Sequence, residues 1–316
     1  MAEATADPQA RDPRVWVTKS ALSRLGPQAR GLSFLPRQPV SSVLNGRHAS
    51  RMRGRGLDFE ELRDYLPGDD IRSIDWKVTA RTGSPHVRVY SEERDRPALI
   101  LVDQRQSMFF GSAQYMKSVV AAEAAAISAQ RILDQGDRVG GLVFGSDRIA
   151  EHRPVRSPRA LTQFLSSIAS ANGALSAEGA GGPADQFDTV LRAALRIARK
   201  NALVLVISDF DGASAASETL VRQLARANDL VFVTVTDPMA QGLPKGLSLT
   251  VSDGGLQATL DTGSEAQWQA INAFSRGRLN MVIDWASKYG IPLLPLTTDA
   301  PALGQMMRLM GQRARR

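Results

Sequence analysis

Residues 98–112 read Ala-Leu-Ile-Leu-Val-Asp-Gln-Arg-Gln-Ser-Met-Phe-Phe-Gly-Ser, and this stretch determines how we interpret the rest of the chain. Its first five residues are all apolar, which is typical of a strand buried on both faces of a parallel sheet. Asp103 follows at the carboxyl end of that predicted strand. Because open α/β sheets bind their ligands at this edge, Asp103 is a candidate site residue.

Residues 202–212 repeat the arrangement with the sequence Ala-Leu-Val-Leu-Val-Ile-Ser-Asp-Phe-Asp-Gly. Asp209 and Asp211 therefore follow a second apolar strand. Two parallel strands that each end in aspartate can bring their carboxylates into one crevice. Such a crevice suits a hard cation, for which we consider Mg²⁺ or Mn²⁺.

Two motifs resemble known families. The turn from Asp103 to Ser107, together with the later Ser-Asp-Phe at residues 208–210, resembles the von Willebrand factor A domain and its metal-ion-dependent adhesion site. Residues 54–81, Gly-Arg-Gly-Leu-Asp-Phe-Glu-Glu-Leu-Arg-Asp-Tyr-Leu-Pro-Gly-Asp-Asp-Ile-Arg-Ser-Ile-Asp-Trp-Lys-Val-Thr-Ala-Arg, resemble the DUF58 family. In that family such a stretch precedes a von Willebrand A-like domain, and members are typically paired with MoxR-type AAA+ ATPases.

The resemblance implies a set of metal ligands at the predicted strand ends. Asp103, Ser107 and Asp209 match the family pattern, and a threonine comes from a loop before a later helix. Thr189 is the nearest candidate for that threonine, although an equally good register places Phe187 there. Its neighbour Asp188 is expected to cap the helix that starts at this point.

One position departs from the family pattern. Arg105 stands where the family has a small hydroxyl ligand, and a guanidinium stays protonated and cannot ligate a cation. We therefore expect a degenerate site in which Arg105 pairs with Asp103 or Asp209 and takes the electrostatic place of the metal. The alternative is that Arg105 points to solvent while a metal still binds Asp103, Ser107 and Asp209.

The alternation of apolar runs with helical patterns predicts an α/β fold with a mostly parallel, doubly wound sheet of the von Willebrand A type. We expect three segments: a basic, partly disordered arm over residues 1–45, a DUF58-type extension over 46–97, and a core over 98–316. A β-hairpin is predicted within the core at 247–261, around Asp-Gly-Gly. A second hairpin is predicted inside the extension, where 82–84 would join one strand over 76–80 to another over 86–90.

Charge and composition restrict the function classes. Residues 1–55 hold ten basic and three acidic residues, so the whole net charge of +7 lies there. This segment is either a solvated arm or a docking element for an acidic protein, an anionic membrane or nucleic acid. The chain has no cysteine, which excludes disulfides and thiol chemistry. It shows neither a signal-peptide pattern nor a run of about 18 apolar residues, so we expect a cytoplasmic protein.

The function that we predict is that of a non-enzymatic protein–protein interaction module, working with a MoxR-type AAA+ ATPase in the assembly or maturation of other proteins. Arg105 would bind an acidic residue of the partner. One alternative is a metal-dependent phosphohydrolase that uses Asp103, Asp209 and Asp211. Haloacid-dehalogenase-like enzymes, however, need a second acid where this chain has Arg105. Another alternative is nucleic-acid binding by residues 1–55, which offer few aromatic residues for stacking.

Overall fold

The computed structural model describes residues 11–29, 32, 57–66, 74–92, 96–241, 248–252, 257–261 and 263–310. In chain order the strands are β1 (Leu57–Asp64), β2 (His86–Glu92), β3 (Pro97–Asp103), β4 (Arg138–Phe144), β5 (Ile149–Val155), β6 (Leu203–Ser208), β7 (Asp229–Thr236), β8 (Ser248–Ser252), β9 (Gln257–Asp261) and β10 (Leu293–Thr297). The helices are α1 (Lys19–Gln28), α2 (Trp76–Thr82), α3 (Lys117–Asp134), α4 (Pro158–Gly173), α5 (Gln186–Ile197), α6 (Ala215–Ala227), α7 (Glu265–Tyr289) and α8 (Ala302–Met310). The chain divides into two compact units, one over 48–95 and the other over 1–47 with 96–316.

The larger unit is built on a six-stranded sheet in the order β10-β7-β6-β3-β4-β5. All neighbouring strands in it run parallel except β4 and β5. From β3 the chain continues to β4 and β5 on one side, and it then returns to β6 on the other side of β3. The strand order therefore reverses between β3 and β6, and open α/β sheets form their binding crevice at such a point. The predicted mostly parallel α/β sheet is confirmed.

Helices cover both faces of this sheet, which explains why β3 is apolar throughout. Ile100 and Val102 belong to a core shared with α1, α3, α4 and α8. Leu99 and Leu101, which point the other way, belong to a core shared with α5, α6 and α7. Because each face of the strand meets its own layer of helices, alternation of polar and apolar residues is lost, as expected for a doubly wound sheet.

The amino-terminal segment is part of the larger unit. Leu22 of α1 is fully buried in the core beside α3. Just before the helix, the indole N–H of Trp16 donates to the carbonyl of Leu175 (3.0 Å), and the Val17 N–H donates to the side chain of Asn172 (2.8 Å). The described residues of the predicted separate arm are therefore packed on the core. Of the basic, partly disordered arm predicted over residues 1–45, only 11–29 and 32 are among the described residues, and the rest of that prediction lies outside them.

The smaller unit contains an antiparallel pair, β1 and β2, and the short helix α2. The prediction of a strand over residues 76–80 was wrong. Asp75 caps a helix there, because its carboxylate accepts from the backbone N–H groups of Lys77 (3.0 Å) and Val78 (3.2 Å). Gly83 ends the helix with a left-handed backbone (φ 80°). In the larger unit the other predicted hairpin is confirmed, since β8 pairs antiparallel with β9.

Candidate functional site

The two strand-end acids lie in the crevice between β3 and β6. These strands are parallel neighbours, with Val102 opposite Ile207, so Asp103 and the Ser208-Asp209 pair leave the sheet side by side. The hydroxyl of Ser208 donates to Oδ2 of Asp103 (2.5 Å). The side chain of Asp103 has no solvent exposure and that of Asp209 has 5%. Two carboxylates this deeply buried need charged or hydrogen-bonding partners.

Arg105 is the partner of Asp103. Its Nε lies 3.0 Å from Oδ1 and its Nη2 lies 2.7 Å from Oδ2, which makes a two-pronged ion pair. The guanidinium also packs over the rings of Phe144 and Phe187, with its carbon 5.5 and 5.6 Å from the ring centroids. Burial lowers the pKa of Arg105, but the charge and hydrogen bonds of Asp103 outweigh burial and shift it upward. Arg105 is therefore a fixed positive charge.

Lys117 is the partner of Asp209, and the sequence analysis did not identify it. Its Nζ lies 2.6 Å from Oδ2 of Asp209, while Oδ1 accepts from the Asp211 N–H (3.0 Å) and, at 3.5 Å, from the Ser107 hydroxyl. Burial raises the pKa of Asp209, but the charges of Lys117 and Arg105 outweigh burial and lower it to about 2. Lys117 is the first residue of α3, where the helix dipole disfavours a cation, and the carboxylate of Asp209 offsets this unfavourable position.

Asp188 does not have the helix-capping role that the sequence predicted, and Thr189 makes no contact with the strand-end acids among the described hydrogen bonds. Thr189 lies inside the first turn of α5, and within the described part of the chain its side chain makes no hydrogen bond to Asp103 or Asp209. Asp188 does not cap α5, because the cap position belongs to Asp185. The buried carboxylate of Asp188 instead accepts a hydrogen bond from Ser217 of α6 and so ties the two helices together.

These residues, as they are arranged, do not fit a divalent cation. Asp103 and Asp209 each hold a cationic group within 2.7 Å, so a bound metal would have to share both carboxylates with fixed positive charges. Over the ranges that the structure describes, no group of three or more His, Asp or Glu side chains is arranged to hold a metal. The predicted Mg²⁺ or Mn²⁺ site at Asp103, Ser107, Asp209 and Thr189 stays a prediction, and the geometry does not favour it.

The predicted contact between Arg105 and an acidic partner also stays a prediction. Only 8% of the Arg105 side chain is exposed, and two of its three nitrogens already bind Asp103. A partner carboxylate would have to displace Asp103 from a buried two-pronged pair, which the geometry disfavours.

A third strand-end acid, Asp237, follows β7. Its Oδ2 accepts from the backbone N–H of Ser112 (2.8 Å) and the hydroxyl of Thr298 (2.5 Å). Its Oδ1 accepts from the Ser112 hydroxyl and from the N–H of Met239 (2.9 Å). Burial raises the pKa of Asp237, and these donors outweigh burial and lower it. Asp237 thereby joins the loops that follow β3, β7 and β10.

An open groove of about 650 Å³ lies beside the ion pairs. It runs between the start of α5, the loop after β6 and the middle of α7, and Asp185, Asp188, Asp211, Arg278 and Met281 are among its lining residues. Arg278 closes one wall, since its Nη2 lies 2.7 Å from Oδ1 of Asp211. Asp211, the third acid of the phosphohydrolase hypothesis, is therefore also in an ion pair, with the guanidinium of Arg278.

Comparison with known proteins gives a family and distant structural likenesses. A family model described as "Protein of unknown function DUF58" matches residues 61–276. Uncharacterized protein Rv1480 of Mycobacterium tuberculosis and uncharacterized protein Mb1516 of Mycobacterium bovis are each 29% identical over 297 residues, covering 92% of this chain and 90% of theirs. The crystal structure of BatB from Bacteroides thetaiotaomicron is 18% identical, with a TM-score of 0.40, and covers 66% of this chain and 93% of BatB. The VWA domain of SpRpn10 is 15% identical, with a TM-score of 0.36, and covers 70% of this chain and 99% of that domain.

Proposed function

The chain belongs to the DUF58 family, and from this premise we propose that it is a non-enzymatic protein–protein interaction module that works with a MoxR-type AAA+ ATPase in the assembly or maturation of other proteins. The type of partner follows from the resemblance of residues 54–81 to that family. Two features of the molecule support the proposal: an exposed aromatic and basic surface on α2, and strand-end acids whose oxygens are already bound.

The α2 surface carries the proposal. We define it as Trp76, Lys77, Ala80 and Arg81, which are all exposed and lie one turn apart in pairs along the helix. Trp76 has 65% of its surface exposed. Tryptophan and arginine are the residues that most often dominate binding energy at protein interfaces. The two cations beside the indole favour an acidic surface on the partner, and the acid that precedes them in the sequence, Asp75, is buried as the helix cap.

The bonding of Asp103 speaks against the phosphohydrolase hypothesis. Its oxygens accept from the N–H, Nε and Nη2 of Arg105 and from the hydroxyl of Ser208. A carboxylate that acts as a nucleophile must present an oxygen to its substrate. Both oxygens of Asp103 face donors in a buried site, so neither is available for attack.

The described amino-terminal residues do not favour nucleic-acid binding. Arg11 donates to the carbonyl of Gly173 (2.8 Å), and Arg14 pairs with Asp12 at 2.6 Å. Trp16, one of the few aromatic residues in residues 1–55, packs against the ring of Phe109 at 6.0 Å between centroids. Each of these three side chains therefore has a contact within the chain, and Arg14 keeps 63% of its side chain exposed. Nucleic-acid binding thus stays an alternative that no described contact favours.

The decisive experiment measures binding between the full chain and the purified MoxR-type ATPase of the same organism, by biolayer interferometry with ATP and with ADP. We expect saturable binding that Trp76→Ala weakens at least about tenfold, as for an interface hot spot. The charge-reversing pair Lys77→Glu with Arg81→Glu should weaken it as strongly. Arg159→Glu, which reverses the charge of an exposed arginine on α4, is the matched control and should bind like the wild type.

Three outcomes would overturn the proposal. The first is a wild-type chain that does not bind the ATPase in either nucleotide state. The second is wild-type affinity in all α2 variants. The third is binding to vesicles of phosphatidylcholine and phosphatidylserine that the same variants abolish, which would assign the α2 surface to a membrane. A phosphatase screen with Mg²⁺ tests the enzymatic alternative, since turnover lost in Asp103→Asn would contradict a non-enzymatic role.

A further inference from the structure

We infer that Arg105 and Lys117 together replace a divalent cation, so that the strand-end site is a metal-independent ion-pair quartet with Asp103 and Asp209. The inference goes beyond the proposed function, because it concerns the charge of the site and holds whichever partner the protein binds. The sequence predicted that Arg105 takes the electrostatic place of the metal, and the structure adds Lys117 as a second cation.

The charges of the quartet balance. The exposed side-chain fractions are 0% for Asp103, 5% for Asp209, 8% for Arg105 and 12% for Lys117. Two negative and two positive groups are therefore withdrawn from water together. An added divalent ion would leave two uncompensated positive charges in this buried space, and uncompensated buried charge is strongly unfavourable.

The two cations reach the carboxylates from opposite faces of the sheet. Arg105 lies over Phe144 and Phe187, which belong to the core on the α5 and α6 side. Lys117 begins α3, whose apolar residues belong to the core on the opposite face. Asp103 and Asp209 are the carboxylates that would hold a metal ion, and here each of them is paired with a fixed cationic side chain.

Asp211, whose charge also acts on Arg105, has a cationic partner of its own. Asp211 pairs with Arg278 at 2.7 Å, and both side chains are more exposed than any member of the quartet. Arg105 makes an additional contact across the quartet, since its Nη2 lies 3.9 Å from Oδ1 of Asp209. The four groups form one network in which each carboxylate keeps a cation at 2.7 Å or less.

The test removes both fixed cations and asks whether a metal can take their place. Arg105→Ser with Lys117→Ala leaves two buried carboxylates without cations and supplies the hydroxyl that the family pattern has at position 105. We expect this double variant to unfold at a lower temperature than the wild type and to be restabilised by Mn²⁺ or Mg²⁺ in a concentration-dependent way. The melting temperature of the wild type should not respond to Mn²⁺, Mg²⁺ or a chelator.

Two control variants define the comparison. Arg278→Ser with Lys288→Ala removes the same residue types from the pairs with Asp211 and Glu218, and it should gain no metal response. Adding Asp103→Asn to the double variant should abolish its metal response.

If the double variant does not fold, Mn²⁺ binding by the wild type, measured by electron paramagnetic resonance, decides the question. No saturable Mn²⁺ binding by the wild type supports the inference. Saturable binding that Asp103→Asn removes overturns it. A folded double variant that binds no metal also overturns it, because the two side chains would then not stand in for a cation.

Discussion

Arg105 turns back on Asp103, two positions earlier in the chain, and closes two hydrogen bonds on its carboxylate, Nε to Oδ1 at 3.0 Å and Nη2 to Oδ2 at 2.7 Å. The backbone between them allows this because residue 105 is extended (φ −76°, ψ 167°). Neither side chain has more than 8% of its surface in water. The pair is thus an internal element of the fold, and removing one member leaves a buried charge without its partner.

We predict that Arg105→Met lowers the free energy of unfolding by about 3–5 kcal/mol, the usual result of breaking a buried ion pair from one side. Methionine keeps an apolar stem between Phe144 and Phe187, so most of the loss should come from the stranded carboxylate. Urea denaturation followed by circular dichroism gives the value.

A double-mutant cycle with Asp103→Asn is the control. Because asparagine removes the stranded charge, the double variant should lose less stability than the sum of the two single losses. Additive losses would contradict the pairing.

The ion pair of Asp209 predicts how stability depends on pH. The pKa of Asp209 is about 2 in the folded state, below the ordinary value of 3.8. The unfolded chain therefore binds a proton first as the pH falls. The stability that Asp209 contributes is complete above about pH 4, and it should disappear between about pH 4 and pH 2, with a magnitude of about 2 kcal/mol.

Chemical denaturation at a series of pH values measures this effect. Asp209→Asn should remove the corresponding part of the acid destabilisation, and Lys117→Met should reduce it, since Lys117 is the strongest of the charges that lower this pKa. An unchanged pH profile in Asp209→Asn would show that another carboxylate is responsible.

Asp237 gives a third prediction. It receives four hydrogen bonds, from the N–H and hydroxyl of Ser112, the hydroxyl of Thr298 and the N–H of Met239. Asp237→Ala leaves these donors without an acceptor, so we expect a loss of about 3 kcal/mol in the free energy of unfolding.

An asparagine variant separates the loss of the Asp237 charge from the loss of its hydrogen-bond acceptors. Asp237→Asn keeps acceptor capacity on one oxygen and should fall between the wild type and the alanine variant. Hydrogen exchange at the Ser112 amide should accelerate in the same order. Equal exchange rates in all three proteins would contradict the role of Asp237 in joining these loops.

The sheet could be predicted from the sequence because a strand that is buried on both faces is an uninterrupted run of apolar residues. The runs at 98–102 and 202–207 have no polar interruption, and each became a central strand next to the other. The position of their terminal acids follows from the strand direction alone. By contrast, the helix α2 was missed because its capping residue Asp75 and its closing Gly83 outweigh an apparent strand pattern.

The partners within the site could not be predicted in the same way. Lys117 is 14 residues from Asp103 in the sequence, and only the packing of α3 brings it to Asp209, which comes 92 residues later. Asp237, Ser112 and Thr298 likewise meet because three strand ends share one edge of the sheet. Such contacts depend on the packed arrangement of distant elements, and no local pattern encodes them. The partner of Asp188 could not be predicted for the same reason, since Ser217 lies on another helix.

The last prediction concerns the amino-terminal helix α1. Leu22 is 0% exposed and lies in the core formed with α3, so Leu22→Ala should remove buried apolar contacts and leave a cavity. We expect the free energy of unfolding to fall by about 2–5 kcal/mol. Leu66→Ala is the matched control, because Leu66 is 59% exposed and the same truncation there should change stability by less than about 0.5 kcal/mol. A separate arm would behave differently, since Leu22→Ala would then leave the urea midpoint of the core unchanged.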